Sequence, residues 1–332
     1  MENNAGRLRE RLRSIGLSDP AIEAAWPVWW SDDADASASA KVELRFSVAR
    51  KLGLDPHSLL DDDAQPRFVW RDEARFKHLS GEGQLERSAI TSFGTALGTY
   101  LIAATKSKPL EIQYDSKALR DAILHEQPYV RLVDLLALCW SLGIPTIHLR
   151  VFPLVRKRMS AMSVRVGERS AIMLGKDSSY PPHVAFYLAH ELAHIALGHL
   201  SEEPMVVDFE MEEPTAADDD AEENTADEFA LELLTGLSKP IVLPKEHRYS
   251  ARELARVAQG AAAELGIEPG TLALCFGFST KDWATANAAI RQIYSEPRPV
   301  WAEVNRIAAS QLALDLISDD ARSYLSVVLG SA

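Results

Sequence analysis

Two histidines four residues apart, His190 and His194, lie within an apolar stretch that runs from Val184 to Leu200. If this stretch is a helix, both side chains project from the same face. Two neutral imidazoles at this spacing can bind one Zn²⁺ at about 2.0–2.1 Å. Glu191, directly after the first histidine, is the residue type that such sites use as a general base. A buried helix must satisfy these polar groups, and a metal ion does so, which requires a third protein ligand from another part of the chain.

One source for the third ligand is the extended zinc-protease pattern, which has a glycine three residues and a histidine six residues after the second histidine. Those positions hold Leu197 and Leu200, and Gly198 and His199 are each displaced by one. Five residues beyond His194, a side chain on a continuous helix points about 140° away. We therefore interpret His199 as a helix-end histidine that the helix dipole favours.

The better source is an amphipathic helix that begins near Glu223, 29 residues after His194. This interval is long enough for a loop and an antiparallel return helix. Asp227 lies one turn later on the same face and can accept the second N–H of a ligating imidazole. The small residues Ala226 and Ala230 would let the two helices approach closely. We favour Glu223 as the third ligand, with three competing carboxylates in the same segment: Asp220, Glu222 and Glu228.

The net charge of −13 comes from one segment. The range 202–228 contains 13 Asp or Glu and no Lys or Arg, and the rest of the chain has 35 acidic and 35 basic residues. We interpret this segment as a solvated loop that does not lie on a phosphate backbone.

The only two cysteines, Cys139 and Cys275, lie in apolar surroundings, which favours free thiols in a reducing compartment. No apolar run reaches the roughly 20 residues that span a bilayer. The first residues lack the apolar core of a secretory signal. We expect a cytoplasmic protein without a membrane partner.

Hydrophobic periodicity and turn residues predict an α+β chain that is mostly helical. We expect a helical N-terminal domain over 1–110, the metal domain over 111–240 and a helical C-terminal region over 241–332. The predicted helices outside the metal motif are 7–15, 21–30 with Asp19 as its N-cap, 41–52, 85–105, 116–125, 130–142, 251–265, 280–294 and 302–316. The predicted strands are 146–152, 161–166 and 171–174, with a hairpin loop at 167–170 between the last two.

A helix–glycine–helix pattern at 41–60 has the rhythm of a helix-turn-helix. Basic residues accompany it, namely Lys41, Arg45, Arg50 and Lys51. A generic helical hairpin would have the same pattern, so direct DNA binding through this region stays an alternative that the balanced charge does not encourage.

The order of a short sheet, the helix from Phe186 to His199 and the segment Glu223-x-x-Ala226-Asp227-x-Phe229-Ala230 resembles the ImmA/IrrE family of metallopeptidases over roughly residues 129–237. The resemblance implies a gluzincin-like zinc fold with His190, His194 and Glu223 as metal ligands and Glu191 as catalytic acid/base. Leu233-Leu234-Thr235-Gly236 departs from the Leu-Leu-Met-Pro that often closes the glutamate helix in that family.

Members of this family typically cleave a helix-turn-helix transcriptional repressor and so release stress-response or mobile-element genes, and others lie beside toxin–antitoxin or phage-defence genes. The resemblance therefore implies a repressor or an antitoxin-like partner as the substrate. The resemblance thus implies an endopeptidase with one Zn²⁺, although Mn²⁺ or Fe²⁺ could use the same ligands. The alternative is a zinc-binding regulator or antitoxin that binds a partner without cleaving it. Three residues are left open as donors to the oxyanion: Tyr187, Tyr249 and His247.

Overall fold

The computed structural model describes residues 4–70, 75–76, 83–107, 115–155, 159–201, 204–209, 221–239 and 248–330. Most of these residues are helical, and five strands form one sheet, which confirms the α+β prediction. The helices are α1 (Asn4–Ser14), α2 (Asp19–Ala25), α3 (Ala38–Leu52), α4 (Pro56–Leu60), α5 (Gln84–Ala103), α6 (Ser116–Leu124), α7 (Leu132–Ser141), α8 (Pro181–Ala196), α9 (Ala221–Thr235), α10 (Ala251–Leu265), α11 (Pro269–Thr280), α12 (Trp283–Ile293), α13 (Val300–Gln311) and α14 (Asp319–Val328). The strands are β1 (Arg75–Phe76), β2 (Thr146–His148), β3 (Met159–Val166), β4 (Arg169–Leu174) and β5 (Met205–Phe209). Within the described residues, no helix has the length and apolar character that crossing a membrane requires.

The mixed sheet has the strand order β1-β5-β3-β4-β2. The central strand β3 runs antiparallel to both β4 and β5, whereas β2 is parallel to β4 and β1 is parallel to β5. The predicted hairpin between β3 and β4 is present, but Arg169 already pairs with Val166. The turn is therefore only Gly167 and Glu168, and the positive φ of 63° at Gly167 suits a two-residue hairpin turn.

The strand β5 lies in the acidic segment that we interpreted as a loop, so that interpretation is wrong for this part. Met205 and Val207 are buried against the apolar residues under the sheet. The three consecutive apolar residues 205–207 supplied the signal, which the high acidic content of the segment obscured. Residues 210–220 of the acidic segment lie outside the described residues.

Helices cover the two faces of the sheet. Alternate residues of β3 point to opposite faces, so that Met162 and Val164 pack towards α5 whereas Ala161 packs towards α8. The helix α5 approaches β3 through Gly98, where an added Cβ would lie 2.7 Å from a methyl carbon of Val164. The sheet thus separates an N-terminal helical layer from the helices that carry the histidine motif.

The largest cluster of buried apolar side chains contains residues from both ends of the described chain. It includes Leu52 from α3, Met162 from β3 and Tyr324 from α14. A second cluster contains α7, α8 and α9 together with Val300 and Val304 of α13. The first cluster thus crosses both predicted boundaries, at residues 110 and 240, whereas two smaller clusters of buried residues lie within the C-terminal segment 254–290. The division into three domains stays a prediction.

The N-terminal helices differ in detail from the sequence prediction. Helix α2 ends at Ala25 rather than at residue 30, and its N-cap is Ser18, whose hydroxyl accepts a hydrogen bond from the Ala21 amide. Asp19 is therefore the first helical residue and not the cap. The sequence is equally compatible with Ser18 and with Asp19 as the cap, because serine and aspartate are both strong N-cap residues.

The helix–glycine–helix pattern is a short hairpin in the structure. Gly53 ends α3 with a φ of 67°, and α4 has only five residues. Two of the four basic residues are buried in ion pairs: Lys51 Nζ lies 2.6 Å from Asp320 Oδ1, and Arg45 Nη2 lies 2.6 Å from Asp62 Oδ1. Because both side chains are buried in these ion pairs, neither is available for contact with a phosphate backbone.

The C-terminal region contains two helices that the sequence analysis missed, α11 and α14, whereas α10 has its predicted bounds. Pro269, between the predicted helices 251–265 and 280–294, begins α11, where its missing N–H costs nothing. The Glu268 carboxylate caps this helix by accepting a hydrogen bond from the Thr271 amide at 2.8 Å. The predicted helix at 280–294 begins only at Trp283, and α13 ends at Gln311 rather than at residue 316.

Candidate metal centre

The helix α8 contains the histidine motif and packs in the second cluster of buried side chains. Pro181 and Pro182 open the helix, where proline fits the first turn, and its apolar face packs on β3, β4 and α9. His190, Glu191 and His194 are 6%, 0% and 0% exposed. Three titratable side chains thus lie inside the protein at one end of this helix.

The helix α9 brings Glu223 to the two histidines. His190 Nε2 and His194 Nε2 are 3.0 Å apart, and they lie 3.4 Å and 3.5 Å from the two carboxylate oxygens of Glu223. Within the described ranges, these three residues form the single group of His, Cys, Asp or Glu that could hold a metal ion, with ligand atoms within 4.8 Å of one another. The structure therefore brings together the three residues that the sequence predicted as ligands.

The packing of α9 against α8 depends on small side chains. Ala226 and Ala230 are fully buried between the helices, as the sequence indicated. At the other end of α9, the buried guanidinium of Arg120 donates hydrogen bonds to the carbonyl oxygens of Leu233 and Leu234 at 3.2 and 2.8 Å. A cation at the carbonyl end of a helix stabilises it, so Arg120 fixes the position of the helix that carries Glu223.

The competing carboxylates take other places. Glu228 Oε1 forms an ion pair with Lys239 Nζ at 3.0 Å. Glu222 lies on α9 outside the cluster, and Asp220 lies outside the described residues. Of the carboxylates that the structure describes, Glu223, which the sequence analysis favoured, lies beside both histidines.

Asp227 lies one turn after Glu223 and contacts the far side of His190. Its Oδ1 is 2.8 Å from His190 Nδ1, as the sequence analysis predicted for the second imidazole nitrogen. A carboxylate at Nδ1 fixes the proton on that nitrogen and leaves the Nε2 lone pair to face Glu223 and His194. Asp227 therefore selects the tautomer that a metal ligand needs.

His199 is close to the cluster, contrary to our interpretation of it. Its Nδ1 lies 2.8 Å from His194 Nδ1. The angle of about 140° assumed a continuous helix, but α8 ends at Ala196 and Gly198 has a φ of 79°. The chain turns back at Gly198, and the His199 amide donates to the His194 carbonyl oxygen. The glycine directly before His199 was the signal for this turn.

Ser163 of β3 contacts Glu191, and the sequence analysis missed this residue. The Ser163 hydroxyl donates to the Glu191 carboxylate and lies 3.1 Å from the Glu191 carbonyl oxygen. Ser163 is itself fully buried on the face of the sheet that α8 covers. No pattern in the chain distinguishes this serine from other small residues in a strand, so only the packing of α8 on β3 identifies it.

The three candidate oxyanion donors have different surroundings. Tyr187 lies on α8, one turn before His190, and its ring packs against Phe186. Tyr249 packs edge-on against Phe276 in the C-terminal helices, with ring centroids 5.5 Å apart. His247 lies outside the described residues.

Both cysteines are buried free thiols, as predicted. Burial raises the pKa of Cys139 and of Cys275 to about 12, so both stay protonated at neutral pH. Neither thiol belongs to the group of possible metal ligands.

The donor set fits a small divalent cation. Nδ1 of His190 contacts Asp227, and Nδ1 of His194 contacts His199. In the tautomer that carries the proton on Nδ1 of both rings, the two Nε2 atoms and the Glu223 carboxylate all present lone pairs to the same space. Three acceptors at this spacing repel one another unless a cation lies between them. Ligands at about 2.0–2.1 Å from a tetrahedral ion lie about 3.3 Å from each other, close to the distances between these atoms.

Residues 144–272 match the model of a peptidase family described as IrrE N-terminal-like domain. The match confirms over this segment the resemblance that the sequence showed, and it extends further towards the C-terminus, into α10 and α11. It indicates a metallopeptidase-type function, and such a family implies a metal ion. No curated protein and no solved structure gives a significant match.

Proposed function

We propose that this protein is a zinc-dependent endopeptidase of the ImmA/IrrE type with a gluzincin-like core. The observation that carries the proposal is the convergence of His190 Nε2, His194 Nε2 and the Glu223 carboxylate within 4.8 Å, directly beside Glu191. Two imidazoles and one carboxylate are a known ligand set of catalytic zinc, which leaves a coordination position open. A closed structural site commonly has four protein ligands that include cysteine, and both cysteines of this chain lie elsewhere.

In this proposal His190, His194 and Glu223 hold the ion. When bound, the metal supplies a Lewis acid and lowers the pKa of water towards about 7. Asp227 keeps the proton of His190 on Nδ1, and His199 accepts the proton that His194 carries on Nδ1. Both contacts hold the imidazole rings in the orientation in which Nε2 faces Glu223.

Glu191 acts as the general base and then as the general acid. Its carboxylate takes a proton from the attacking water and delivers it to the amine that leaves. Ser163 restrains this carboxylate through its hydroxyl hydrogen bond, so the group does not rotate freely between the two proton transfers. Restraint of this kind keeps the proton acceptor within reach of the reacting water.

We infer that the substrate is a helix-turn-helix transcriptional repressor or an antitoxin-like partner. The support is the resemblance of residues 144–272 to the IrrE-type domain. We place the protein in the cytoplasm, where a repressor is found and where two buried free thiols are stable.

The test compares the full-length wild-type protein with its Glu191→Gln variant. The candidate substrate is the helix-turn-helix protein encoded by a neighbouring gene, incubated with each protein and Zn²⁺ and analysed by mass spectrometry. We expect wild type to cut at a defined bond, EDTA to stop cleavage and Glu191→Gln to bind Zn²⁺ without cleaving. Cleavage by Glu191→Gln would refute the assigned role, and tight binding without cleavage by wild type would favour the non-proteolytic regulator.

A further inference from the structure

A cavity of about 270 Å³ lies beside the histidine cluster, between α8, α9, α11 and α12. Nine of its twelve lining residues are aliphatic, aromatic, proline or cysteine. Pockets that hold a whole drug-sized ligand have about 300–1,000 Å³, so this cavity is smaller than a typical small-molecule site. Its size and lining suit one large apolar side chain.

The cavity adjoins His190 on the side of the ring that faces away from His194 and Glu223. Asp227, whose carboxylate contacts His190 Nδ1, forms part of its wall. Phe186 forms another part, and its ring centroid lies 6.3 Å from that of His190. A peptide whose scissile bond lay at His190 would therefore reach this cavity with a neighbouring side chain.

Two aromatic residues at the cavity are exposed rather than packed in the core. Phe278 at the end of α11 is 52% exposed and Trp283 at the start of α12 is 43% exposed. Exposed aromatic groups around an apolar depression are typical of a binding site.

The backbone between Phe278 and Trp283 determines the position of both side chains at the cavity. Lys281 has a φ of +63°, a value that side-chain-bearing residues rarely adopt, and it turns the chain between α11 and α12. A Cβ at Gly277 would lie 2.8 Å from Cε3 of Trp283, so the glycine lets the indole lie against α11. The position of Trp283 thus depends on one strained residue and one glycine.

The charges of the wall favour an uncharged occupant. Asp227 is the one acidic residue of the wall, and the wall contains no Lys or Arg. His183 Nε2 lies 3.1 Å from Asn287 Oδ1, and burial lowers the pKa of His183, so it stays neutral at pH 7. The nearest described cation is the Lys281 ammonium at the rim, 4.6 Å from the centroid of the Phe278 ring. An acidic side chain inside the cavity would lie beside Asp227, and repulsion between like charges is unfavourable at short range.

We propose that this cavity is a specificity pocket of the peptidase and that it binds a large aliphatic or aromatic side chain of the substrate protein close to the scissile bond. This inference rests on the proposed function. The residues that we expect to determine the preference are Phe278, Leu274 and Trp283.

The first experiment digests a degenerate peptide library with the full-length, Zn²⁺-loaded protein and reads residue preferences by mass spectrometry. We expect one position near the cleaved bond to prefer Leu, Met or Phe over Asp by at least about tenfold, as an apolar pocket can discriminate. Phe278→Glu places a charge at the rim, and Leu274→Trp fills the cavity. Both should lose this preference, whereas Leu316→Glu, an equally exposed apolar residue far from the cavity, should retain it. An unchanged preference in both pocket variants would overturn the pocket and leave the peptidase proposal intact.

The second experiment does not need cleavage. Saturation-transfer NMR measures binding of N-acetyl-leucinamide and N-acetyl-aspartamide to the Glu191→Gln protein. We expect binding of the leucine probe alone, weakened at least about tenfold when Phe278→Glu or Leu274→Trp is added and retained with Leu316→Glu. If wild type cleaves no library peptide, this binding measurement alone judges the pocket, and the test with the helix-turn-helix protein judges the peptidase proposal. Equal binding of both probes, or no binding, refutes the pocket.

Discussion

The contact between Asp227 and His190 makes a quantitative prediction about metal affinity. Replacing Asp227 with alanine removes the carboxylate 2.8 Å from His190 Nδ1 and leaves all three proposed ligands in place. The proton on Nδ1 then loses its acceptor, and the ring loses its fixed tautomer and orientation. We expect weaker Zn²⁺ binding without loss of the fold.

Removal of such an outer contact typically lowers metal affinity by about 10–100-fold. The Asp227 side chain is 46% exposed, so water can replace part of the lost interaction. We therefore expect a loss near the lower limit, about tenfold, which corresponds to about 1.4 kcal/mol. Asp227→Asn keeps an oxygen acceptor and should lose less.

The assay is competition for Zn²⁺ between the protein and a fluorescent chelator at pH 7.5. The matched control is Glu228→Ala, which removes the next carboxylate of α9, one that pairs with Lys239 and not with the cluster. His190→Ala serves as the reference for loss of a ligand. If Asp227→Ala binds Zn²⁺ as tightly as Glu228→Ala while His190→Ala does not, the orienting role of Asp227 is refuted.

Three further predictions concern the rest of the molecule. Gly98→Val places a Cβ 2.7 Å from Val164 and should destabilise the fold by about 1–3 kcal/mol in urea unfolding; an unchanged midpoint would show that α5 can move away from β3. Burial lowers the pKa of His148, so below pH 6.5 the unfolded chain binds a proton that the folded one does not, and stability should fall with falling pH by up to about 1.4 kcal/mol per unit. Urea unfolding of the metal-free protein at pH 7, 6 and 5 should show a flatter dependence for His148→Gln, and parallel curves would contradict this cause. Burial raises the pKa of Cys139, which is 0% exposed, to about 12, so a thiol reagent at pH 8 should label it only after unfolding, and rapid labelling of Cys139 in the native protein would contradict the burial.

The sequence predicted those parts of the candidate site whose geometry follows from helical periodicity. The four-residue spacing of His190 and His194 places both rings on one face of α8, and the same spacing relates Glu223 and Asp227 on α9. The apolar faces of both helices indicated how they pack. Local periodicity was therefore sufficient to bring four side chains of one cluster together.

The contacts of His199 and Ser163 could not be predicted in this way. The place of His199 depends on where α8 ends, and helix ends are the least certain part of a periodic pattern. Ser163 meets Glu191 only because β3 is the central strand beneath α8, which is a property of the sheet order. The missed helix α11 shows the same limit, since Pro269 is equally compatible with a break and with a first helical residue.

The ion pair between Lys51 and Asp320 has a consequence for biosynthesis. The buried ammonium of Lys51 has its carboxylate 269 residues later in the chain, and the Tyr324 hydroxyl donates to the Lys51 carbonyl oxygen. At about 5–20 residues per second, a ribosome needs roughly 15–50 s to supply that partner. Until then α3 carries a charge that is costly to bury, so the N-terminal helical layer completes its packing only after α14 has been made. The nascent chain consequently completes this layer only after α14 has left the ribosome, and a translation error that removes Asp320 would expose the first cluster of buried side chains as well as α14 itself.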